Sequence, residues 1–318
     1  MSTLYIDRKY TSLEHQGAAM VLRRADQGLQ RIPFNLIDRV VVHGKVQTDT
    51  ATLGALADAG ITVSLLTGRH GRYKASLVGP AGNDVLRRVA QYHAHEDQRA
   101  TTDIARCILR RKLAGQQRLL TRALAQRQDL RHSLRKASGQ LQALRLELKK
   151  PEDDLDRLRG IEGAAAAAYF AAYQKLFPPS LGFQGRKRRP PPDPVNAVLS
   201  LGYTLLYSEA VKAVHAAGLD PFLGYLHAPA HGRASLAADL IEPLRPRFDS
   251  LVWWMFSKRQ LRAEDFKTDD GGCLLSKSGR GRFYGLYEKQ AAPTRRWLRL
   301  FTYALIDHLT QQHQRNRD

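Results

Sequence analysis

Between Gly218 and Pro246 the chain reads GLDPFLGYLHAPAHGRASLAADLIEPLRP, and three of its side chains have the types and spacing of a metal centre. His227 supplies an imidazole; Asp239 and Glu242 follow as carboxylates in an apolar run. ASLAADLIEPL has helical periodicity, with Leu236, Leu240 and Leu244 on one side. Positions three apart are neighbours on a helix, so Asp239 and Glu242 can point the same way, and a turn ahead of them can bring His227 close. Two carboxylates and one imidazole form a donor set for a divalent cation. Ser235 is expected to cap this helix, and Pro243 and Pro246 to end it. His231, four residues past His227 and beside Gly232, reads as structural or as part of a loop.

The rest of the chain bounds what such a centre could act on. Its 318 residues are 43% hydrophobic, enough for two domains and a sizeable core. Fifty Lys and Arg stand against 30 Asp and Glu, a formal charge of +20. That excess predicts a polyanionic partner, first of all nucleic acid. An anionic membrane is the weaker option, since no segment has the roughly 20 apolar residues of a spanning helix. Two cysteines, Cys107 and Cys273, argue against a disulfide framework or a Cys-rich zinc site. MSTLYIDRKY has no charged stretch followed by an apolar core and does not read as a secretory signal, so the expected location is cytoplasmic.

The elements that must position the three side chains divide in two. Up to about residue 80, short β-branched and aliphatic runs such as TLYID, DRVVVHG and ITVSLLT alternate with Gly, Asp and Asn, the pattern of a small sheet. DTATLGALADAG interrupts it as one short helix ending at Gly60. Beyond the turn-rich GPAGND the chain is helical. The expected fold class is α+β: an N-terminal β-rich domain over 1–80, a linker helix over 81–98 bearing Leu86, Val89 and Tyr92, and a larger all-helical domain over 99–318. Within it, 101–158 reads as a long Arg-rich helical tract, broken near Ser138-Gly139 and at Lys150-Pro151. A final helix is expected over about 295–312, with Trp297, Leu300, Phe301 and Leu305 on one face.

Two further segments bear on chemistry. GIEGAAAAAYFAAYQKLF is a helix with Glu162 in its first turn, where a carboxylate complements the helix dipole; from this segment alone that is the preferred role. In GFQGRKRRPPPDPVNAV, Arg186, Lys187, Arg188 and Arg189 form a basic loop suited to phosphates or simply solvated. Asp193 reads as the N-cap of the next helix and Pro194 as its first residue. Tyr203 reads as packing, and Trp253 and Trp254 as core in preference to a base-stacking platform.

Taken in order, IEGAAAAAYF, PPDPVNAVLSLGYTLLYSEA, GLDPFLGYLH and GRASLAADLIEPLRP resemble the consecutive motifs of the CRISPR-associated adaptation integrase, the larger "Cas-one" family. RIPFNLIDRVVVHGKV and LADAGITVSLLTGRHGRYKASLVGP resemble that family's β-rich domain, so the likeness runs from about Thr3 to Glu288.

The resemblance implies an enzyme that uses Mg²⁺ or Mn²⁺ to join the 3′-hydroxyl ends of short double-stranded DNA to a CRISPR repeat by direct transesterification. It implies Glu162, His227 and Glu242 as metal ligands. Asp239 matches an acidic residue one turn earlier that also lies at the site, as a ligand, behind the ligands or against DNA. Arg245 and Arg247 become candidates for holding the scissile phosphate, or they pair with Asp239 or Asp249. The implied partners are a second copy, forming a homodimer through the β-rich domain, and the small "Cas-two" adaptation protein in a heterohexamer. The competing readings are a structure-specific nuclease on branched DNA and a non-catalytic DNA-binding scaffold.

Overall fold

The computed structural model describes all residues except 1, 8–9, 25–27, 80–81, 83, 152–153, 188–189, 270 and 316–318. Arg188 and Arg189 of the basic loop therefore lie outside the described residues.

The N-terminal part consists of β1 (Ser2–Ile6), β2 (Thr11–Gln16), β3 (Ala19–Arg24), β4 (Gly28–Pro33), β5 (Ile37–His43), β6 (Val46–Thr48), α1 (Thr50–Asp58), β7 (Thr62–Leu66) and β8 (Tyr73–Leu77). These strands make two four-stranded sheets, ordered β4-β3-β2-β6 and β1-β5-β7-β8. In the second, β1, β5 and β7 run parallel and β8 antiparallel. Successive side chains on a strand face opposite sides, and VVV in β5 uses this directly. Val40 and Val42 enter a core shared with Leu13, Met20, Leu22 and Leu56, whereas Val41 enters the core of the helical part. The β1-β5-β7-β8 sheet is thus a layer with apolar packing on both faces, where one sheet with one helix was expected.

The helices follow as α2 (Val85–Glu96), α3 (Gln98–Gln126), α4 (Arg131–Glu147), α5 (Leu155–Tyr173), α6 (Pro194–Ala216), α7 (Ser235–Ile241), α8 (Arg245–Ser257) and α9 (Lys277–Arg315). The helical part also carries one antiparallel hairpin, β9 (Phe266–Asp269) with β10 (Gly272–Leu275). α6 is buried on nearly every side, as expected of a helix apolar all round. Gly202 makes that possible: a Cβ there would sit 1.8 Å from Phe248 Cζ.

A buried ionic knot fastens the two parts. Arg39 of β5 pairs with Glu209 of α6 at 2.6 Å. Arg295 of α9 bonds Glu209, Glu288 and Thr3 of β1 at 3.1, 2.8 and 2.9 Å. Tyr5 stacks on Tyr284 with ring centroids 3.9 Å apart.

Several boundaries differ from expectation for identifiable reasons. The long tract breaks at Arg127, not at Gly139. Arg127 leaves helical dihedrals (φ −129°, ψ 72°), and its guanidinium grips both oxygens of Asp129 at 2.9 and 2.6 Å. Gly139 stays in α4, at the roughly 1 kcal/mol that a helix loses with glycine in place of alanine. α9 begins at Lys277 and runs through Pro293. Leu300 lies 57% exposed, off the face formed by Leu298, Leu305 and Leu309. On α2 Leu86 and Tyr92 are exposed, while Ala90, Gln91 and Ala94 are buried. No helix among the described residues is long and apolar enough to cross a membrane.

Candidate active site

The site begins on α5. This helix starts at Leu155, capped by Asp154, so Glu162 lies two turns inside it and the first-turn dipole role does not apply. Its carboxylate faces α3, where Lys112 Nζ meets Glu162 Oε1 at 2.6 Å. The same ammonium lies 2.6 Å from Glu242 Oε2. One buried lysine therefore gathers carboxylates 80 residues apart in the chain.

Glu242 follows α7 directly. Pro243 ends α7, but only through one 3₁₀ turn (Glu242–Leu244); α8 resumes at Arg245 with Pro246 in its first turn. Leu236, Leu240 and Leu244 are buried as their spacing predicts. Ser235 does not cap α7: Ala234 takes that place, and the buried Ser235 hydroxyl donates to Ala228 O at 3.0 Å. Glu242 Oε1 accepts from Arg245 Nε at 2.7 Å. Burial alone would raise the Glu242 carboxyl, but the Arg245 and Lys112 charges prevail and hold it at about 2. Lys112 is correspondingly raised, since Glu242 and Glu162 outweigh the cost of burying its charge. Glu242 Oε2 meets the ammonium as an ion pair yet accepts no well-angled hydrogen bond.

Asp239 does something different. It is fully buried, and its two oxygens accept from the backbone N–H of Tyr225, Leu226 and His227 at 2.6, 3.0 and 3.0 Å. Oδ1 also meets His227 Nδ1 at 2.6 Å. Four contacts occupy this carboxylate, placing it behind His227. A carboxylate on Nδ1 selects the tautomer with the proton there and leaves Nε2 as the electron-pair donor. α2 steadies the preceding loop: Gln91 Nε2 donates to Asp220 O and Leu223 O at 2.9 and 3.2 Å.

His227 and Arg245 line a cleft of about 660 Å³ between the β7–β8 connection, α6 and the start of α9. Arg69, Arg72, Lys74, Arg186 and Arg233 line it too, and among the described residues no carboxylate does. Arg186 does not belong to a loose loop. It donates to Asn196 Oδ1 and Ser200 Oγ at 2.9 and 3.1 Å, and its guanidinium lies 5.5 Å from the Tyr203 ring centroid. Lys187 is exposed beside it. Arg245 covers the same ring at 4.4 Å, pairing with Glu242 and not with Asp239 or Asp249. Arg247 is exposed on another face. His231 is exposed at the cleft wall.

Beneath Tyr203 lies Asp249, fully buried. It accepts from the hydroxyls of Tyr203 and Tyr169, and its carbonyl accepts from Tyr173 at 2.8 Å. Burial raises its carboxyl to about 6.

Among the described residues no three His, Cys, Asp or Glu side chains stand close enough to ligate one ion without rearrangement. The donor chemistry nevertheless suits a hard dication: two carboxylates share one cation, Glu242 Oε2 retains accepting capacity, and an imidazole faces the cleft beside them. Lys112 is the residue that sequence reasoning missed. Its signal is positional: it falls between Ile108 and Gln116 at helical spacing, on the buried stripe of an Arg-rich helix.

A β-rich layer packed on a helical lobe that carries two convergent carboxylates and a buttressed histidine defines a class of basic, acid-and-histidine-centred proteins. The chain belongs to the family described as CRISPR associated protein Cas1, whose model matches residues 4–289. A CRISPR-associated endonuclease Cas1 of Thermodesulfovibrio yellowstonii is 38% identical over 291 residues, 91% of each chain. Among solved structures, a casposase bound to integration product has a TM-score of 0.84 at 22% identity, covering 98% of this chain and 91% of that one. A chain of a Cas6-RT-Cas1–Cas2 complex also gives 0.84 at 23% identity, covering 98% of this chain and 35% of that one.

Proposed function

We propose that this protein is a metal-dependent DNA integrase of CRISPR adaptation, joining the 3′-hydroxyl ends of short duplex DNA to a CRISPR repeat by transesterification. The observation that carries the reading is the convergence of Glu162 and Glu242 on one buried cation, beside a histidine whose ring Asp239 holds. Support comes also from the endonuclease and integration-product names of its relatives. Hydrolytic cleavage needs only water in place of the hydroxyl at the same centre.

Glu162, Glu242 and the Nε2 of His227 would hold Mg²⁺ or Mn²⁺. Such an ion, when bound, stabilises the extra charge on phosphate in transit and lowers the pKa of the attacking hydroxyl. The chain's own residues do the rest. Asp239 keeps the His227 ring in one orientation and one tautomer. Arg245, anchored by Glu242 and lying on Tyr203, presents its remaining N–H groups to a phosphate at the cleft. Arg186 adds a second fixed guanidinium over the same ring, and Arg72 and Lys74 extend the positive wall along the DNA backbone. Double-stranded DNA, a second copy and the small Cas2 protein are the proposed partners, the last supported by the Cas2-containing complex among its structural neighbours.

The test supplies a labelled duplex with 3′-hydroxyl ends, a supercoiled plasmid carrying a repeat, the Cas2 partner and Mn²⁺. Joined product is expected with the wild type and not with Glu162→Gln or His227→Ala, while both variants still bind DNA. Joining at wild-type level by either variant contradicts the assignment.

A further inference from the structure

On the far side of the Glu242–Arg245 turn the molecule has a second cleft, of about 770 Å³, between α3, α8 and α9. It shares no lining residue with the cleft at His227. The turn itself separates them: Arg245 faces the first, Pro246 and Arg247 the second. α3 and α8 nearly touch at one end, where a Cβ on Gly115 would lie 3.1 Å from the Pro246 ring. The floor is apolar, with Leu119, Leu244 and Leu286 buried.

The walls are cationic on every side. Arg118 and Arg122 stand on α3, Arg247 on α8 and Lys289 on α9, all exposed. Among the described residues none of the four has a carboxylate within ion-pairing distance; Arg122 reaches only the Ser250 hydroxyl, at 3.3 Å. Charged side chains held this way without counter-charges favour a polyanion. Beside them Trp254 is 40% exposed, whereas its neighbour Trp253 is 6% exposed and in the core. An open indole among exposed cations is the arrangement that holds unpaired nucleotides, with a base on the ring and phosphates on the rim.

We infer that this cleft is a second nucleic-acid site, binding a short unpaired stretch of DNA outside the reaction centre. The inference rests on the proposal that DNA is the substrate. An acidic amphipathic peptide would also match an apolar floor and a basic rim. The nucleic acid is favoured because the cations stand on three walls instead of along one edge, and because the chain as a whole carries +20.

The test is fluorescence anisotropy with a labelled oligothymidylate and the full chain, titrated across a range of salt. Arg118→Ala/Arg122→Ala/Lys289→Ala is expected to weaken binding at least tenfold in low salt and to flatten the dependence of log K on log salt by about two, at roughly 0.7 per lost phosphate contact. Trp254→Ala is expected to weaken binding about tenfold with the salt slope unchanged, because stacking is uncharged. All the substituted residues are exposed, so misfolding does not supply either signature. Wild-type affinity and slope in the triple variant overturn the inference, as does an acidic amphipathic peptide that binds only when these residues are intact while the oligonucleotide is indifferent to them. If the wild type joins no DNA yet oligonucleotide binding still needs Trp254, the integrase reading fails and this site stands. If joining proceeds and the groove variants bind normally, the reverse holds.

Discussion

Lys112 Nζ lies 2.6 Å from Glu162 Oε1 and 2.6 Å from Glu242 Oε2, so a single ammonium bridges two carboxylates brought in by two different helical segments. Removing one member of a buried ionic group leaves the others without compensation, at a cost of about 3–5 kcal/mol. Lys112→Met is expected to lose that much in guanidinium unfolding. Adding Glu162→Gln should cost less than the sum of the two single changes, because the second removes the charge that the first left unpaired, whereas Glu242 keeps Arg245.

Asp239 is expected to act through His227. Asp239→Asn keeps the shape but puts an amide NH₂ where Nδ1–H or a backbone N–H now donates. Joining should fall about 10–100-fold, the usual effect of losing a carboxylate behind a ligating histidine, with DNA affinity unchanged. The imidazole should also show it: the His227 ring nitrogens in ¹⁵N spectra should report a changed tautomer balance.

Stability should carry two opposite pH signatures. Burial lifts the Asp249 carboxyl from 3.8 to about 6. Between those values the unfolded chain releases a proton that the folded chain keeps, so this group lowers stability as pH rises from about 4 to about 6, by on the order of 3 kcal/mol. Glu242, held at about 2 by Arg245 and Lys112 against its burial, contributes stability that is present above about 4.5 and is lost as pH falls toward 2. Asp249→Asn should abolish the first trend and keep the second, as followed by denaturant unfolding at several pH values.

Arg186 is fixed before any phosphate arrives, by Asn196, Ser200 and the Tyr203 ring. Arg186→Ala should weaken duplex DNA binding similarly for all sequences and reduce the salt slope by about one. Arg186→Lys should recover the slope but only part of the affinity, since an ammonium cannot make the paired contacts of the guanidinium.

How much of this was readable in the residues varies with the physics involved. The spacing of Asp239 and Glu242 placed both on the helical run after His227, and Leu236, Leu240 and Leu244 are buried as their period requires. The division between the two carboxylates was not readable. Which of them turns toward the histidine loop depends on three backbone N–H groups at Tyr225, Leu226 and His227 that converge only in the fold. Glu162 seemed to sit in a first turn because glycine at 160 resembled a helix start; the true cap, Asp154, lies six residues earlier. Lys112 was hidden by its setting, since one lysine on the apolar stripe is hard to separate from the many arginines around it. Trp253 and Trp254 are adjacent, and a helix necessarily points neighbours apart by about 100°, so one is core and the other faces the second cleft.

The central claim is that Glu162, His227 and Glu242 hold one dication. Mn²⁺ titration of the whole protein by calorimetry tests it without requiring turnover. One site per chain is expected, weakened at least tenfold by each of Glu162→Gln, His227→Ala and Glu242→Gln and little affected by Arg247→Ala. Equal Mn²⁺ affinity in the wild type and all three ligand variants would contradict it.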